Sequence, residues 1–141
     1  MTNTLADKEI VRRWMQEVWT TDDFSFLRTI VHPDLIDHMP VAGHLPGRDG
    51  HLEKMKRIKA AFTNIDIRVD ALIQEGDRVV GLWTFTATHS GVPFLGRPAQ
   101  NSRVKFCGMD MVRVEGGQIR EIWHIEDLFR AYGQISGTIA V

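Results

Sequence analysis

Cysteine is nearly absent. Cys107 is the only one in 141 residues, so no disulfide can close within the chain and no multi-cysteine metal site can form. Long apolar runs are missing too, and none approaches the length of a membrane span. Charge appears early, at Asp7, Lys8 and Glu9, before any apolar signal core could form. The expectation is a soluble cytoplasmic protein with no membrane partner. An excess of one charge sign is also lacking: 17 Lys and Arg against 18 Asp and Glu leave a net charge of -1, which gives no reason to expect nucleic acid. The one basic cluster, Lys54, Lys56, Arg57 and Lys59, reads as the solvated face of a helix.

Several chemical signatures are missing as well. There is no nucleophile elbow, glycine-rich phosphate loop or dinucleotide fingerprint, which removes the main support for hydride and phosphoryl transfer. Histidines 38, 44, 89 and 124 with Asp37 and Asp110 could in principle assemble a metal site, but no local ligand spacing supports one. Neither a metal nor an organic cofactor is expected.

What remains is an ordinary globular composition, 43% hydrophobic and 25% charged, of a length that suits one domain over residues 1–141. Leu5 to Trp19 has Ile10, Val11, Trp14, Met15 and Val18 at helical spacing after a candidate cap at Asn3 or Thr4. Asp22 or Asp23 can cap a second short helix carrying Phe24, Leu27, Ile30 and Val31, ended by His32 and Pro33. Leu35 to Met39 reads as extended. A third helix begins near Gly47, with Leu52, Met55, Ile58 and Phe62 as its buried stripe, and Arg48 and Asp49 near its start read as a cap and a surface ion pair. From Ile65 the period is two, and Val79 to His89 sets Val79, Trp83, Phe85, Ala87 and His89 on one face against Thr84, Thr86 and Thr88. A loop from Ser90 to Asn101 leads to two closing strands, and a tail follows Asp127. The fold class is α+β: three N-terminal helices packed on a strongly curved antiparallel sheet that encloses an apolar pocket.

The closing strands carry the chemistry. A three-residue loop at Glu115, Gly116 and Gly117 sets Val114 opposite Gln118 and puts even-numbered residues on one face, so that Asp110 and His124 are diagonal neighbours among Val104, Phe106, Val112, Val114 and Ile122. A two-residue loop instead turns Asp110 toward Trp123 and Ile125. Apolar surroundings shift pKa values and suit acid/base work, whereas the plainer role of His124 is a core hydrogen bond. Asp110 needs a partner among such neighbours, either His124 or an arginine.

Several motifs occur in order along the chain: H-P-D, D-H-M-P, P-G-R-D-G and A-A-F between His32 and Phe62, then E-G-D-R-V-V, T-H-S-G-V-P-F-L-G-R-P and M-V-R-V-E-G-G-Q-I-R-E-I-W-H-I-E-D. From Ala6 to Gln134 this succession resembles the SnoaL-like polyketide cyclases and the related ester cyclases of the NTF2-like superfamily. The resemblance implies a cone of helices and bent sheet around a deep apolar pocket. It also implies an intramolecular aldol closure of a polyketide ester without metal or cofactor. In that family an aspartate near the end of the last strand is the acid/base and a histidine stands on the preceding strand. Here the aspartate's place falls on His124 and the histidine's on Asp110, so the pair is exchanged.

The expected function is acid/base catalysis on a small apolar carbonyl or polyketide-like compound, by cyclisation, isomerisation or dehydration, with hydroxylation as a variant. His124 takes the proton, Asp110 orients it, and His38 or His89 bonds the oxyanion. Trp14, Met39, Phe62, Trp83 and Phe106 are core residues that can also shape the substrate site, and Asp127 ties the strand end to a loop. The rival is a non-catalytic domain that binds a small ligand or a protein. The resemblance further implies a homodimer across the open sheet face, through Thr84, Thr86 and Thr88 or through Lys105, Cys107 and Met109.

Overall fold

A computed structural model describes residues 4–141. The first helix, α1 (Thr4–Thr20), buries Val11, Trp14, Met15 and Val18, the stripe its spacing predicts. Asn3, one of the two cap candidates, lies outside the described residues. Asp23 accepts the Ser25 amide at 2.9 Å and opens α2 (Ser25–Ile30), which buries Leu27 and Ile30. Val31, His32 and Pro33, expected to close that helix, already belong to strand β1 (Val31–Asp37). A proline is tolerated there because β1 is an edge strand.

α3 (Gly47–Lys59) follows, and then four long strands: β2 (Phe62–Glu75), β3 (Arg78–His89), β4 (Ser102–Glu115) and β5 (Gln118–Glu126). Phe62, read as the last rung of the α3 stripe, is instead the first residue of β2. The sheet order is β1-β5-β4-β3-β2. All pairings are antiparallel except β1 with β5, which is parallel, so the sheet is mixed where a purely antiparallel one was expected. Two register shifts in β2, the first at Asn64 with φ 53°, bend the sheet around the helices. The architecture is thus α+β, with α1 and α3 over the inner face of a curved sheet whose buried side carries Val79, Trp83, Phe85, Val104, Phe106, Val112 and Ile122. Among the described residues, no helix is long and apolar enough to cross a membrane.

The β4–β5 hairpin departs from both sequence alternatives in an instructive way. Glu115 pairs with Gln118 around a two-residue turn, Gly116 and Gly117, both at positive φ (59° and 76°). That turn alone would put Asp110 on the opposite face from His124. Val114 pairs with Ile119 but Arg113 pairs with Glu121, so Arg120 is an extra residue, and this bulge restores even–even parity. Asp110 therefore lies directly opposite His124, one step closer than the diagonal placement.

The segment after Asp127 is a fourth helix, α4 (Leu128–Ile135), where a tail was expected. Asp127 caps it by accepting the Arg130 amide at 3.1 Å. Its position follows from unpaired backbone. β5 ends opposite Gly108, which leaves the first half of β4 with one open edge. Gln134, buried on α4, accepts the Lys105 amide at 2.8 Å and donates to the Lys105 carbonyl at 3.0 Å, replacing the missing strand. Gln134→Ala leaves both backbone groups without a partner, and urea unfolding should show a loss of about 1–3 kcal/mol. An unchanged midpoint would mean that the edge is not sealed by this side chain.

Candidate active site

Between α1, α3 and the inner face of β3, β4 and β5 lies a cavity of about 400 Å³. Its wall is mainly apolar, with Trp14, Trp19, Trp83, Phe85, Phe94 and Phe106 supplying aromatic surface. Polar groups converge on one side: Asp110 from β4, His124 and Glu126 from β5, and His51 and Lys54 from α3. An apolar cavity with a few converging titratable groups is the usual form of a small-molecule site.

Asp110 stands opposite Gly81 on one neighbouring strand and His124 on the other. Two glycines let the surroundings close on it. A Cβ on Gly81 would come within 2.3 Å of the Met15 side chain, and one on Gly108 within 2.1 Å of the Trp83 ring. The Trp83 indole thus lies close to the sheet, and its Nε1 donates to Asp110 Oδ2 at 3.2 Å. Asp110 is 8% exposed. Burial, reinforced by the Glu126 charge, pushes its carboxyl up to about 7, against the opposing pull of His124 and the Trp83 hydrogen bond.

Asp110 and His124 face each other across the strand pair, but no direct hydrogen bond joins them. Nε2 of His124 contacts both oxygens of Asp37, at 3.1 and 3.2 Å, and Nδ1 contacts Glu126 Oε1 at 2.6 Å. These two bonds push the imidazole up to about 9 despite its burial. It is an imidazolium at neutral pH, with both N–H groups donating, and not the neutral base that the sequence suggested.

Asp37 holds this arrangement together. Its side chain is 2% exposed, and it accepts from His124, from Lys54 Nζ at 3.1 Å and from the Met39 amide at 2.9 Å. Burial pushes its carboxyl upward, but the His124 and Met39 hydrogen bonds and the Lys54 charge outweigh that and hold it well below the usual carboxylate range. His44 Nε2 stands 3.9 Å away, and that imidazole is pushed down by burial and by Lys54. His51, fully enclosed on α3, accepts from Trp14 Nε1 at 3.2 Å and is pushed down to about 3, chiefly by burial, so it is neutral. Counting Asp37, Glu126, Lys54 and His124 as charged, the cluster is neutral when Asp110 carries its proton.

Of the residues expected at the site, Asp110, His124, Trp14, Trp83 and Phe106 line the cavity, whereas Phe62, His89, His38 and Met39 do not. His89 is fully buried and bonds the Val92 carbonyl at 3.0 Å through Nε2, and Phe62 packs on Phe94 with ring centroids 5.0 Å apart. Both support the loop from which Pro93, Phe94 and Leu95 reach the cavity. His38 follows the strand alternation: Asp37 points in, so His38 points out, where it stacks on Trp123 at 4.3 Å and bonds Glu121 at 3.0 Å. Met39 is 44% exposed, beyond the end of β1.

Asp37 was named only as a conceivable metal ligand, and Glu126, Lys54 and His51 were not singled out as site residues. Glu126 shares the parity of His124. Residues 51, 54, 55 and 58 form a helical stripe that admits His51 and Lys54 beside Met55 and Ile58, and the cluster reading of Lys54 as solvated is corrected by its 9% side-chain exposure.

A family model described as SnoaL-like polyketide cyclase matches residues 9–135. Among solved structures, TsrD from Streptomyces laurentii superposes with a TM-score of 0.87 at 22% identity, covering 99% of this chain and 100% of that one. IdmH from Streptomyces antibioticus, provisionally named a polyketide cyclase, is 28% identical with a TM-score of 0.78, covering 92% of this chain and 98% of its own. A protein from Acidithiobacillus ferrooxidans, also provisionally named a polyketide cyclase, is 26% identical with a TM-score of 0.77, over 99% of this chain and 100% of that one. None of the curated proteins matches the chain.

The ionisation of Asp110 bears on stability. Its folded value near 7 lies above the unfolded value near 3.8, so the native state holds an extra proton between them and stability falls as pH rises through that window. Asp110→Asn removes this cost, and the variant should gain about 3–5 kcal/mol over the wild type at pH 8 and almost nothing below pH 4 in denaturant titrations. A variant less stable than wild type at pH 8 contradicts the raised value.

Proposed function

The chain belongs to the SnoaL-like polyketide cyclase family, and on that premise we propose that it is a cofactor-independent acid/base enzyme acting on a small, apolar carbonyl compound, with Asp110 as the proton carrier. One observation carries this reading: a carboxyl near pKa 7 at the wall of an apolar cavity, with one oxygen held by the Trp83 indole. A group so placed is a competent base and, once protonated, a competent acid at neutral pH.

The reaction begins when ionised Asp110 removes a proton from the carbon beside the substrate carbonyl. The C–H electron pair becomes the enolate double bond, and the carbonyl π pair moves onto oxygen. In a cyclisation the enolate carbon attacks a second carbonyl of the same molecule, a C–C bond forms, and Asp110 returns its proton to the new alkoxide. In an isomerisation the proton goes back to a different carbon. His124, as a cation opposite Asp110, favours the ionised carboxylate between turnovers. This reverses the roles expected from the sequence, because the proton is carried by Asp110 and the histidine supplies fixed charge. The support is environmental: both His124 nitrogens are engaged, whereas Asp110 has the Trp83 indole as its one hydrogen-bond partner among the described residues.

The pH profile follows with its signs. Activity rises as Asp110 ionises near 7 and falls as His124 loses its proton near 9. Exchange of the ring-ketone hydrogens of 2-tetralone with deuterated water, followed by NMR, should be bell-shaped between those values. It should slow on the order of a hundredfold to ten-thousandfold in Asp110→Asn. Exchange at the wild-type rate in that variant removes Asp110 from the role, and binding of the ketone without exchange at any pH favours a ligand-binding protein.

The assembly is a homodimer through the outer sheet face. Strand register sets Ile73, Val80, Met111 and Trp123 in one cross-strand row and Ala71, Leu82, Met109 and Ile125 in the next. Ile73, Met109 and Ile125 are 67%, 50% and 69% exposed, a contiguous apolar face on which a second copy can present the same rows. Of the residues the sequence suggested for this contact, Met109 lies in those rows. Sedimentation equilibrium should give a dimer for the wild type and a monomer for the Met109→Lys, Ile125→Lys double variant. A monomeric wild type ends the proposal.

A further inference from the structure

Enolate chemistry needs a donor for the developing oxygen, and the structure moves both residues expected in that role, His38 and His89, away from the cavity. The cationic groups that do line it are His124, Arg57 and Lys54. Both nitrogens of His124 are committed to Asp37 and Glu126. Arg57 is exposed. Lys54 differs from both: its side chain is 9% exposed and, among the described residues, its one hydrogen bond runs to Asp37 at 3.1 Å. An ammonium carries three donors, so two N–H groups remain unspent at the cavity wall.

Resting on the acid/base reading of this cavity, we propose that Lys54 is a second catalytic residue, whose ammonium donates a hydrogen bond to the enolate oxygen formed when Asp110 removes the neighbouring proton. Asp37 anchors the ammonium from behind, so the donor is in place before charge develops and needs no reorganisation when it does. Lys54 lines the same cavity as Asp110, His124 and His51. The balance is simple. The proton moves to Asp110, the electron pair moves to the substrate oxygen, and Lys54 keeps all its protons.

A stable mimic isolates this step. The 4-nitrophenolate anion carries its charge on an oxygen conjugated to a flat ring, as an enolate does, and its ionisation is visible by absorbance. At pH 6 the wild type should bind the phenol in its ionised form. In Lys54→Gln, which keeps an amide donor toward Asp37, the preference for the ion should fall on the order of tenfold or more, while Lys54→Arg keeps most of it. Thermal melts establish that each variant is folded. Equal preference in wild type and Lys54→Gln overturns the assignment, and so does a wild type with no preference for the ion. Tetralone exchange separates the two levels of the argument: exchange lost in Asp110→Asn but untouched in Lys54→Gln removes Lys54 and leaves the acid/base reading standing.

Discussion

A single buried carboxylate, Asp37, organises the polar side of this molecule. It sits on the edge strand β1 and binds His124 of β5 and Lys54 of α3, joining an edge strand, its neighbour and the helix above them. Burying one charge costs several kcal/mol, and burying three is tolerated only because each is matched. The parallel pairing of β1 with β5 sets Asp37 beside Ile122 and within reach of the imidazole two residues further along. Removing Asp37 would leave Lys54 without its partner and His124 with Glu126 alone.

The same arrangement drives two neighbouring groups in opposite directions. His124, between two carboxylates, is held protonated. Asp110, facing the cavity with an indole and a nearby carboxylate, is held close to half ionised. Splitting two titratable groups in this way gives them different capacities, because one is held as a fixed charge and the other can change its charge near neutral pH. The site is held at a cost in stability, borne by the apolar packing of α1 and the inner sheet face.

Much of the fold was legible along the chain because it depends on local patterning. The stripe of Val11, Trp14, Met15 and Val18, the alternation through Trp83 and His89, and the glycine pair at 116 and 117 each depend on neighbours a few residues away. Three features were not legible. The bulge at Arg120 is one extra residue with no signature of its own, yet it decides whether Asp110 meets His124 or Trp123. The docking of α4 answers an open edge of β4 that exists only once β5 has ended early. Lys54 belongs to a run of basic residues, and its burial depends on a partner 17 positions away.

The sequence by itself determined the family, the order of helices and strands, and the two residues at the centre of the site, Asp110 and His124, because periodicity and motif order are properties of neighbours along the chain. Tertiary structure alone decided how each of them ionises, with His124 held protonated and Asp110 raised to about 7. A pKa depends on what surrounds a group in space, and the decisive surroundings here, Asp37 and Glu126 on His124 and the cavity wall on Asp110, come from β1, α1, α3 and three separate strands of one bent sheet.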